Sequence, residues 1–537
     1  MSKFTYRQVL IFLFFVLLAS ILIKNSFSYL DPDLGWHLRV GNEILENRSV
    51  PETENYLYLI SGKSWVDHEW LLNVISYLFF NYSTYIGLSL FFALTAIAIF
   101  ILLYRYTRKY FLENKANILV FILLLLGMMA SAPSLGVRLQ EYTLLNLLIL
   151  IILLSRASKT NNLKYLFWLP LLFLWWANIH GGYLVGFAVM LMWGAYRIIG
   201  PYISQWTVFK KFSFDKKITK QDLITMILIF FLTIVATLFT PYGIKLYTFL
   251  GGNYSDTFYF THIMEWLPAW YYPIIIYQLF YAALATAMLV LMLIPPSGFG
   301  KQFKISIWHY ALSWFFFVLA MKSRRHFPLF VVVSFPLLAQ AVNAHFSACP
   351  VSVKALIKNN LFVKIYVILA IILSILIVNL QTNFTSDPFV NPKFCDRYPC
   401  VAVEFMKSDA KYADLRIFNA YDWGGYLDYI WPKKQLFIDG RLPIYKVGKD
   451  NYSLLKEYYT FFSKEQVEEK LAEYNIELVL LRLTHTPSLS WWEKYIFGFK
   501  EDDFEDINKH IITYLDENPI WQESYNDGIA AIYVKFK

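Results

Sequence analysis

Two carboxylates separated by one residue, with an imidazole four positions later, form the first candidate site. The segment is Asp31-Pro32-Asp33-Leu34-Gly35-Trp36-His37-Leu38, and it follows directly on the first long apolar run. Pro32 disfavours helix at Asp31, so Asp31 is expected in a turn and Asp33 at a helix start. On that helix Asp33 and His37 would share a face. Trp36, Val40 and Ile44 form an apolar row beside them that suits a membrane surface. A carboxylate at such a boundary can have a raised pKa and act as a general base. The bland alternative is a helix cap with an interfacial Trp anchor. The second candidate, Trp65-Val66-Asp67-His68-Glu69-Trp70, returns more carboxylates and a second imidazole just before the next apolar run. Asp31, Asp33, His68 and Glu69 are ligand types that suit Mg²⁺ or Mn²⁺, so a divalent cation is a candidate cofactor. Its alternative is a capped, solvated loop helix.

Cations of the kind that hold phosphate come third. Arg138 follows the third apolar run, and Lys322, Arg324, Arg325 and His326 follow the ninth. Guanidinium forks match phosphate oxygens, and polar groups at membrane depth are usually retained for function. His180, in Asn178-Ile179-His180-Gly181-Gly182, could touch substrate, or the glycine pair could simply make a turn. Glu141 lies close enough to Arg138 to pair with it at a helix end, and His262, Glu265 and Trp266 sit in a later loop. Asp422-Trp423-Gly424-Gly425-Tyr426 and Asp439-Gly440-Arg441 read first as turns, with a role in acceptor binding as the second reading.

The elements that must position these residues are membrane spans. The 537 residues are 57% hydrophobic, 19% aromatic and 16% charged, with a mean hydropathy of +0.44. A soluble domain carries about 25% charged residues. Soluble, disordered and disulfide-built secreted classes are therefore excluded, and three cysteines make no framework. Apolar runs long enough to span lie near 8–29, 84–104, 118–133, 141–155, 163–179, 183–200, 223–240, 273–295, 305–321, 328–345 and 361–380, about eleven in all. The first follows Lys3 and Arg7, has no small-residue cleavage site after it, and reads as a retained anchor.

Residues 1–380 carry a net charge of +15 and residues 381–537 a net of −6. With the N-terminus in the cytoplasm, 20 of the 29 Lys and Arg before residue 381 fall in cytoplasmic loops, as the positive-inside rule prefers. The C-terminal region is then extracytoplasmic. The basic residues are scattered between spans and form no continuous face, so nucleic-acid binding is not expected. Eight of the 14 acidic residues before 381 crowd into residues 31–69, which marks that outer loop as the seat of chemistry.

Residues 381–537 change character. Strands are expected at Leu415–Asn419, Gln435–Asp439, Ile476–Leu483 and Ile529–Phe536, with an amphipathic helix at Glu465–Tyr474 capped by Ser463. The reading is a small α/β domain at 381–537 behind a transmembrane domain at 1–380 whose catalytic loop is 30–70. On an oxidising side Cys395 and Cys400 could pair, and Cys349 would be free.

Carboxylates and arginines at one membrane face ask for a substrate that joins a phosphate to a group being activated. A lipid-phosphate sugar meets that description: a base deprotonates the acceptor and cations stabilise the departing phosphate. Asp31-x-Asp33 with Trp36-His37-Leu38 and Gly41, Val50-Pro51, Trp65-x-x-His68-Glu69-Trp70, Asn178-x-His180-Gly181-Gly182, Asn419-x-Tyr421-Asp422-Trp423-Gly424-Gly425-Tyr426-Leu427 and Asp439-Gly440-Arg441 together resemble bacterial members of the GT-C superfamily of membrane glycosyltransferases. These are related to protein O-mannosyltransferases and oligosaccharyltransferases.

The resemblance implies a multi-span helical bundle, a polyprenyl-phosphate-linked sugar donor and an acidic catalytic residue in the first loop, here Asp31 or Asp33. Its implied setting is the bacterial inner membrane, with an inverting transfer to a glycan, lipid or protein acceptor of the cell envelope. His37, His68, Glu69, Arg138, His180, Arg324 and Arg325 are then expected to bind substrate, and Asp31, Asp33 and Glu69 to hold a metal if one is used. This reading has the first loop and the arginine pair near 325 serve one pocket. A transporter of lipid-linked sugars would instead need polar residues running through the spans, and several spans have very few. An envelope assembly protein would need the spans only as anchors.

Overall fold

The computed structural model describes residues 6–112, 118–253, 257–293, 304–347, 368–369, 372–373, 375–376, 384–483, 488–504 and 506–536. The chain divides into two compact units. One comprises Met1–Tyr29, Leu88–Ile244 and Met264–Phe384; the other comprises Leu30–Gly87, Lys245–Ile263 and Thr385–Lys537.

The first unit is helical. Among the described residues of the chain, five segments are long and apolar enough to cross a membrane: Ile11–Ser28, Trp70–Tyr110, Glu141–Thr160, Tyr183–Ile203 and Arg324–Ala344. Leu119–Ser134, Leu163–Ile179, Ile276–Leu291 and Ile307–Lys322 are apolar but shorter. The run expected at 223–240 is the helix Lys220–Ala236, started by a reciprocal cap between Thr219 and Asp222. It exposes Ile224, Ile227, Leu228 and Phe231, an apolar stripe at helical spacing of the kind a bilayer covers. The expected span at 84–104 is the part of Trp70–Tyr110 beyond a break at Ser83 and Thr84. The expected span at 361–380 lies mostly outside the described residues, as does Cys349. Phe327–Ser347 is the most enclosed helix, with Phe330, Val331, Phe335, Leu337 and Leu338 all buried. The chain is an integral membrane protein.

The second unit brings residues from three stretches of sequence around a four-stranded sheet. The spatial order is Ile417–Asn419, Leu478–Arg482, Ala530–Lys535, Trp521–Asn526; the first pair is parallel and the other two antiparallel. Three of the four strands stand where their apolar patterns place them. Trp521–Asn526, with its exposed Gln522 and Glu523, was not anticipated.

Gln435–Asp439 is not a strand of this sheet. Leu436 pairs singly with Leu57, and Asn419 replaces a ladder: its side-chain oxygen accepts from Phe437 N–H at 3.0 Å and its amide donates to the Ile438 carbonyl at 2.9 Å. The helix after Ser463 is Val467–Glu473, and Ser463 bonds Glu465 rather than capping it. Cys395 and Cys400 are bridged.

Candidate active site

In the second unit the helix Leu34–Asn47 starts at Asp33, whose side chain makes no cap bond. The turn before it is held by Asp31: its carboxylate accepts from the Asp33 N–H at 3.0 Å, and its carbonyl accepts from Leu34 N–H at 3.1 Å. The Asp33 carboxylate accepts from the Trp36 indole N–H at 3.0 Å. Leu34–Asn47 crosses the short helix Gly424–Ile430 so closely that a Cβ at Gly35 would overlap the Gly425 carbonyl, and one at Gly425 would overlap the Pro32 carbonyl. Gly440 lies against the Asp33 carboxylate itself. Three glycines scattered through the sequence are thus a single close approach of backbones around Asp33.

That geometry separates two substitutions. At Gly440 the atom in the way is a side-chain oxygen that can rotate, and at Gly425 it is backbone. Gly440→Ala should move the Asp33 carboxylate and cut turnover by about 10²-fold, with little change in melting temperature. Gly425→Ala should lower stability by about 1–3 kcal/mol. Thermal unfolding beside a transfer assay tests both.

The Asp439-Gly440-Arg441 turn owes its rigidity to a buried ion network. Arg441 pairs with Asp439 and donates to both oxygens of Glu54, at 2.9 and 3.1 Å, with side-chain exposures of 1% for Arg441 and 0% for both carboxylates. Its guanidinium also lies 4.0 Å from the Tyr56 ring centre and 4.7 Å from that of Trp65. Arg39 also lies over the Tyr56 ring at 3.6 Å and binds Glu43 at 2.8 Å. The Asp428 carboxyl, fully buried 3.8 Å from Arg39, is held well above the usual carboxylate range by burial and then by the charge of Asp439. Neither Glu54 nor Asp428 was singled out from sequence. No spacing joins Glu54 to Arg441, 387 residues away.

His37 does not share a working face with Asp33. It is buried: its Nδ1 lies 2.7 Å from the Asn73 side-chain oxygen, and Asn73 donates to Asp67 at 2.9 Å. Glu69 is buried 4.0 Å from His37, and His68 is half-buried. Trp36, Val40 and Ile44, expected along a membrane surface, are instead buried in the protein, because the helix packs that face inward.

Burial holds His37 neutral, down to about 3, and pushes Asp67 up to about 6. As pH falls from 6.5 towards 3, the unfolded chain takes up the His37 proton and the folded chain does not, so this term removes stability. Between about 6 and 3.8 Asp67 takes up its proton in the folded state first and restores it. His37→Gln should therefore gain on the wild type by about 1.4 kcal/mol per pH unit below pH 6.5. Unfolding midpoints from pH 7 to pH 4 measure the difference, and parallel curves would contradict it.

The first unit holds a separate basic cluster. Arg138 pairs with Glu265 at 2.5 Å, and Arg325 reaches the other Glu265 oxygen at 3.4 Å. Burial pushes the Glu265 carboxyl up, but Arg138 and Arg325 together hold it below the usual range. Arg138 does not pair with Glu141, whose carboxylate accepts from Gly136 N–H at 3.2 Å. Arg324 donates to the carbonyls of Tyr271 and Pro268, fastening the loop that carries Glu265. His180 is buried after the helix Leu169–Ile179; its Nδ1 accepts from Gly182 N–H at 2.8 Å and lies 2.8 Å from the Thr143 hydroxyl. A neutral His180 then carries its proton on Nε2.

Among the described residues no three His, Cys, Asp or Glu side chains gather as the ligands of a metal would. Asp31, Asp33 and Glu69 do not form that set: Asp31 holds a turn, Asp33 faces Trp36 and Gly440, and Glu69 lies by His37 and His68.

No protein-family model matches the sequence, and no curated protein matches it. Solved structures do. The apo form of the Archaeoglobus fulgidus oligosaccharyltransferase is similar with a TM-score of 0.51 and 11% identity, over 90% of this chain and 70% of that one. The same enzyme tethered to an acceptor peptide containing the NVT sequon gives 0.55 and 10%, over 90% and 69%. The archaeal oligosaccharyltransferase AglB from that organism, in complex with an inhibitory peptide and a dolichol-phosphate, gives 0.52 and 11%, over 89% and 69%. At such identity the likeness is one of fold, and along nine-tenths of its length this chain has the oligosaccharyltransferase-like fold that the GT-C resemblance implies.

Proposed function

We propose that this chain is a membrane glycosyltransferase that moves a sugar from a polyprenyl-phosphate carrier to an envelope acceptor, with inversion at the sugar carbon. Asp33 acts as the general base on the acceptor hydroxyl, and Asp31 positions it by fixing the turn. Arg138 and Arg325 receive the charge of the departing lipid phosphate, and Arg324 positions their loop. His180, His68 and Glu69 are assigned to substrate binding, and His37 to holding the first loop through Asn73. No step is routed through a metal. The apolar runs of the sequence support about eleven spans, the positive-inside count a cytoplasmic N-terminus and an extracytoplasmic region 381–537, and the GT-C resemblance a bacterial inner membrane. Structures of the Archaeoglobus enzyme hold an acceptor peptide and a dolichol-phosphate, which supports a lipid-phosphate donor and allows a peptide acceptor here.

The observation that carries the reading is the half-buried Asp33 carboxylate, held by Trp36 and pressed by Gly440, beside a backbone crossing at Gly35 and Gly425 that leaves no room for a Cβ. Mass spectrometry of envelope glycans and lipid-linked sugars, with and without the gene, tests it. Without the gene a polyprenyl-phosphate sugar should accumulate and one glycan should lose a residue. Identical profiles overturn the proposal, as does purified protein that moves labelled lipid-linked sugar across vesicles without turnover.

A further inference from the structure

The helices of the first unit carry a second polar centre, remote from Arg138 and Glu265. A cavity of about 220 Å³ is lined by Lys159, Lys304, Ser158, Asp215, Trp308 and His309, among others. Glu141 and Lys159 stand near opposite ends of the helix Glu141–Thr160, about 27 Å apart at 1.5 Å per residue. The helix Ile307–Lys322 likewise starts at the cavity and leads away to Arg324. The cavity is therefore distinct from the basic cluster described above.

Its walls are built. Phe212–Ser213 pairs in parallel with Ile305–Ser306, clipping two loops together at the helix ends. Both ring nitrogens of His309 are engaged, by Ser306 at 2.8 Å and Tyr106 at 2.9 Å, so His309 is framework. Asp215 is offset by Arg197, itself fully buried, at 3.7 Å. The remaining groups are mixed: Asp215 Oδ2 and Gln340 Oε1 are buried acceptors without a hydrogen-bond partner among the described residues, and the others are donors. Trp308 is 2% exposed, lines the cavity, and its indole N–H has no hydrogen-bond partner among the described residues. Ser158 accepts from the Trp193 indole at 3.0 Å, which leaves its own hydrogen to give. Lys304 is exposed, and Lys159, also exposed, already gives one hydrogen to the Tyr110 carbonyl at 2.5 Å, which leaves two to give.

A buried donor without an acceptor is costly, and an indole N–H can only donate. Two ammonium groups add point charges of the kind that hold phosphate. The volume is below the roughly 300–1,000 Å³ of ordinary ligand pockets, which suits a headgroup rather than a nucleotide. We propose that this cavity binds a phosphate ester, with Lys159 and Lys304 holding the charge and the Trp308 and Ser158 donors reaching the phosphate oxygens. The same chemistry comes from a lipid headgroup or from a soluble phosphate.

The test uses the full-length protein in a neutral detergent and two probes: radiolabelled inorganic phosphate, and micelles containing phosphatidic acid. The variants are Lys159→Gln with Lys304→Gln, Lys159→Arg with Lys304→Arg, and Trp308→Phe. Binding that falls at least tenfold in the Gln pair and in Trp308→Phe, and persists in the Arg pair, supports the site. Retention of phosphatidic acid alone assigns a lipid source, and comparable binding of inorganic phosphate assigns a soluble one. The Arg pair shows that the fold tolerates changes here. Binding of neither probe, or binding that ignores all three variants, overturns the proposal.

Discussion

Asp33→Asn should lower sugar transfer by about 10²–10⁴-fold, the range that a positioned general base supplies. The substitution is nearly isosteric and keeps the oxygen that accepts from the Trp36 indole, so the helix start and its crossing with Gly424–Ile430 should survive. What disappears is the ability to take a proton. Asp31→Asn is the control: its amide oxygen still accepts from the Asp33 N–H, so a positioning role predicts a loss below about tenfold. The measurement is initial rate with a lipid-phosphate sugar, on protein shown by melting and chromatography to be intact. Full activity in Asp33→Asn, or an equal loss in both variants, would remove Asp33 from the role of base. Arg138→Gln and Arg325→Gln should also lose rate, because they act on the leaving group.

The second large effect is on stability. Arg441→Ala would leave Glu54 and Asp439, both at 0% side-chain exposure, without their cation. Removing one partner of a buried pair costs about 3–5 kcal/mol, against a total margin of about 5–15 kcal/mol for a typical domain. The expected result is a protein recovered at low yield, with early protease cleavage within Thr385–Lys537 and in the loop bearing Glu54. Arg441→Lys should fall between, because an ammonium restores the charge but cannot grip Glu54 with two parallel N–H groups. An unchanged melting temperature for Arg441→Ala would show that the network carries no weight. Since the same turn sets Gly440 against Asp33, Arg441→Lys should also lose activity beyond its loss of folded protein.

Much of the candidate site was legible in the linear chain, and the limits of that legibility have a common cause. Asp31 as a turn residue and Asp33 at a helix start follow from Pro32, which acts on its immediate neighbour, and both stand where expected. Arg138 and Glu141 show the limit. Three residues apart, they look like a pair, yet Arg138 takes Glu265 and Glu141 takes the Gly136 N–H. Asp439-Gly440-Arg441 looked like a turn and is one, but its arginine is the centre of a buried network whose other half lies in the first loop. The residues of 381–537 were read as a domain of their own. In the structure Thr385–Lys537 belongs to one compact unit with Leu30–Gly87 and Lys245–Ile263.

Properties that depend on composition or on near neighbours were decided by the sequence itself: residence in a membrane, the apolar helices, most strands of the small sheet, and the acidic start of the first loop. Those signals are hydrophobic transfer and local backbone sterics, which act within a few residues. Which glycines meet, which carboxylates share Arg441, and which charges are buried were decided only by the tertiary structure. A Coulomb pair or a steric gap depends on distance in space, and Glu54 and Arg441 acquire theirs only when the chain has closed a loop of 387 residues.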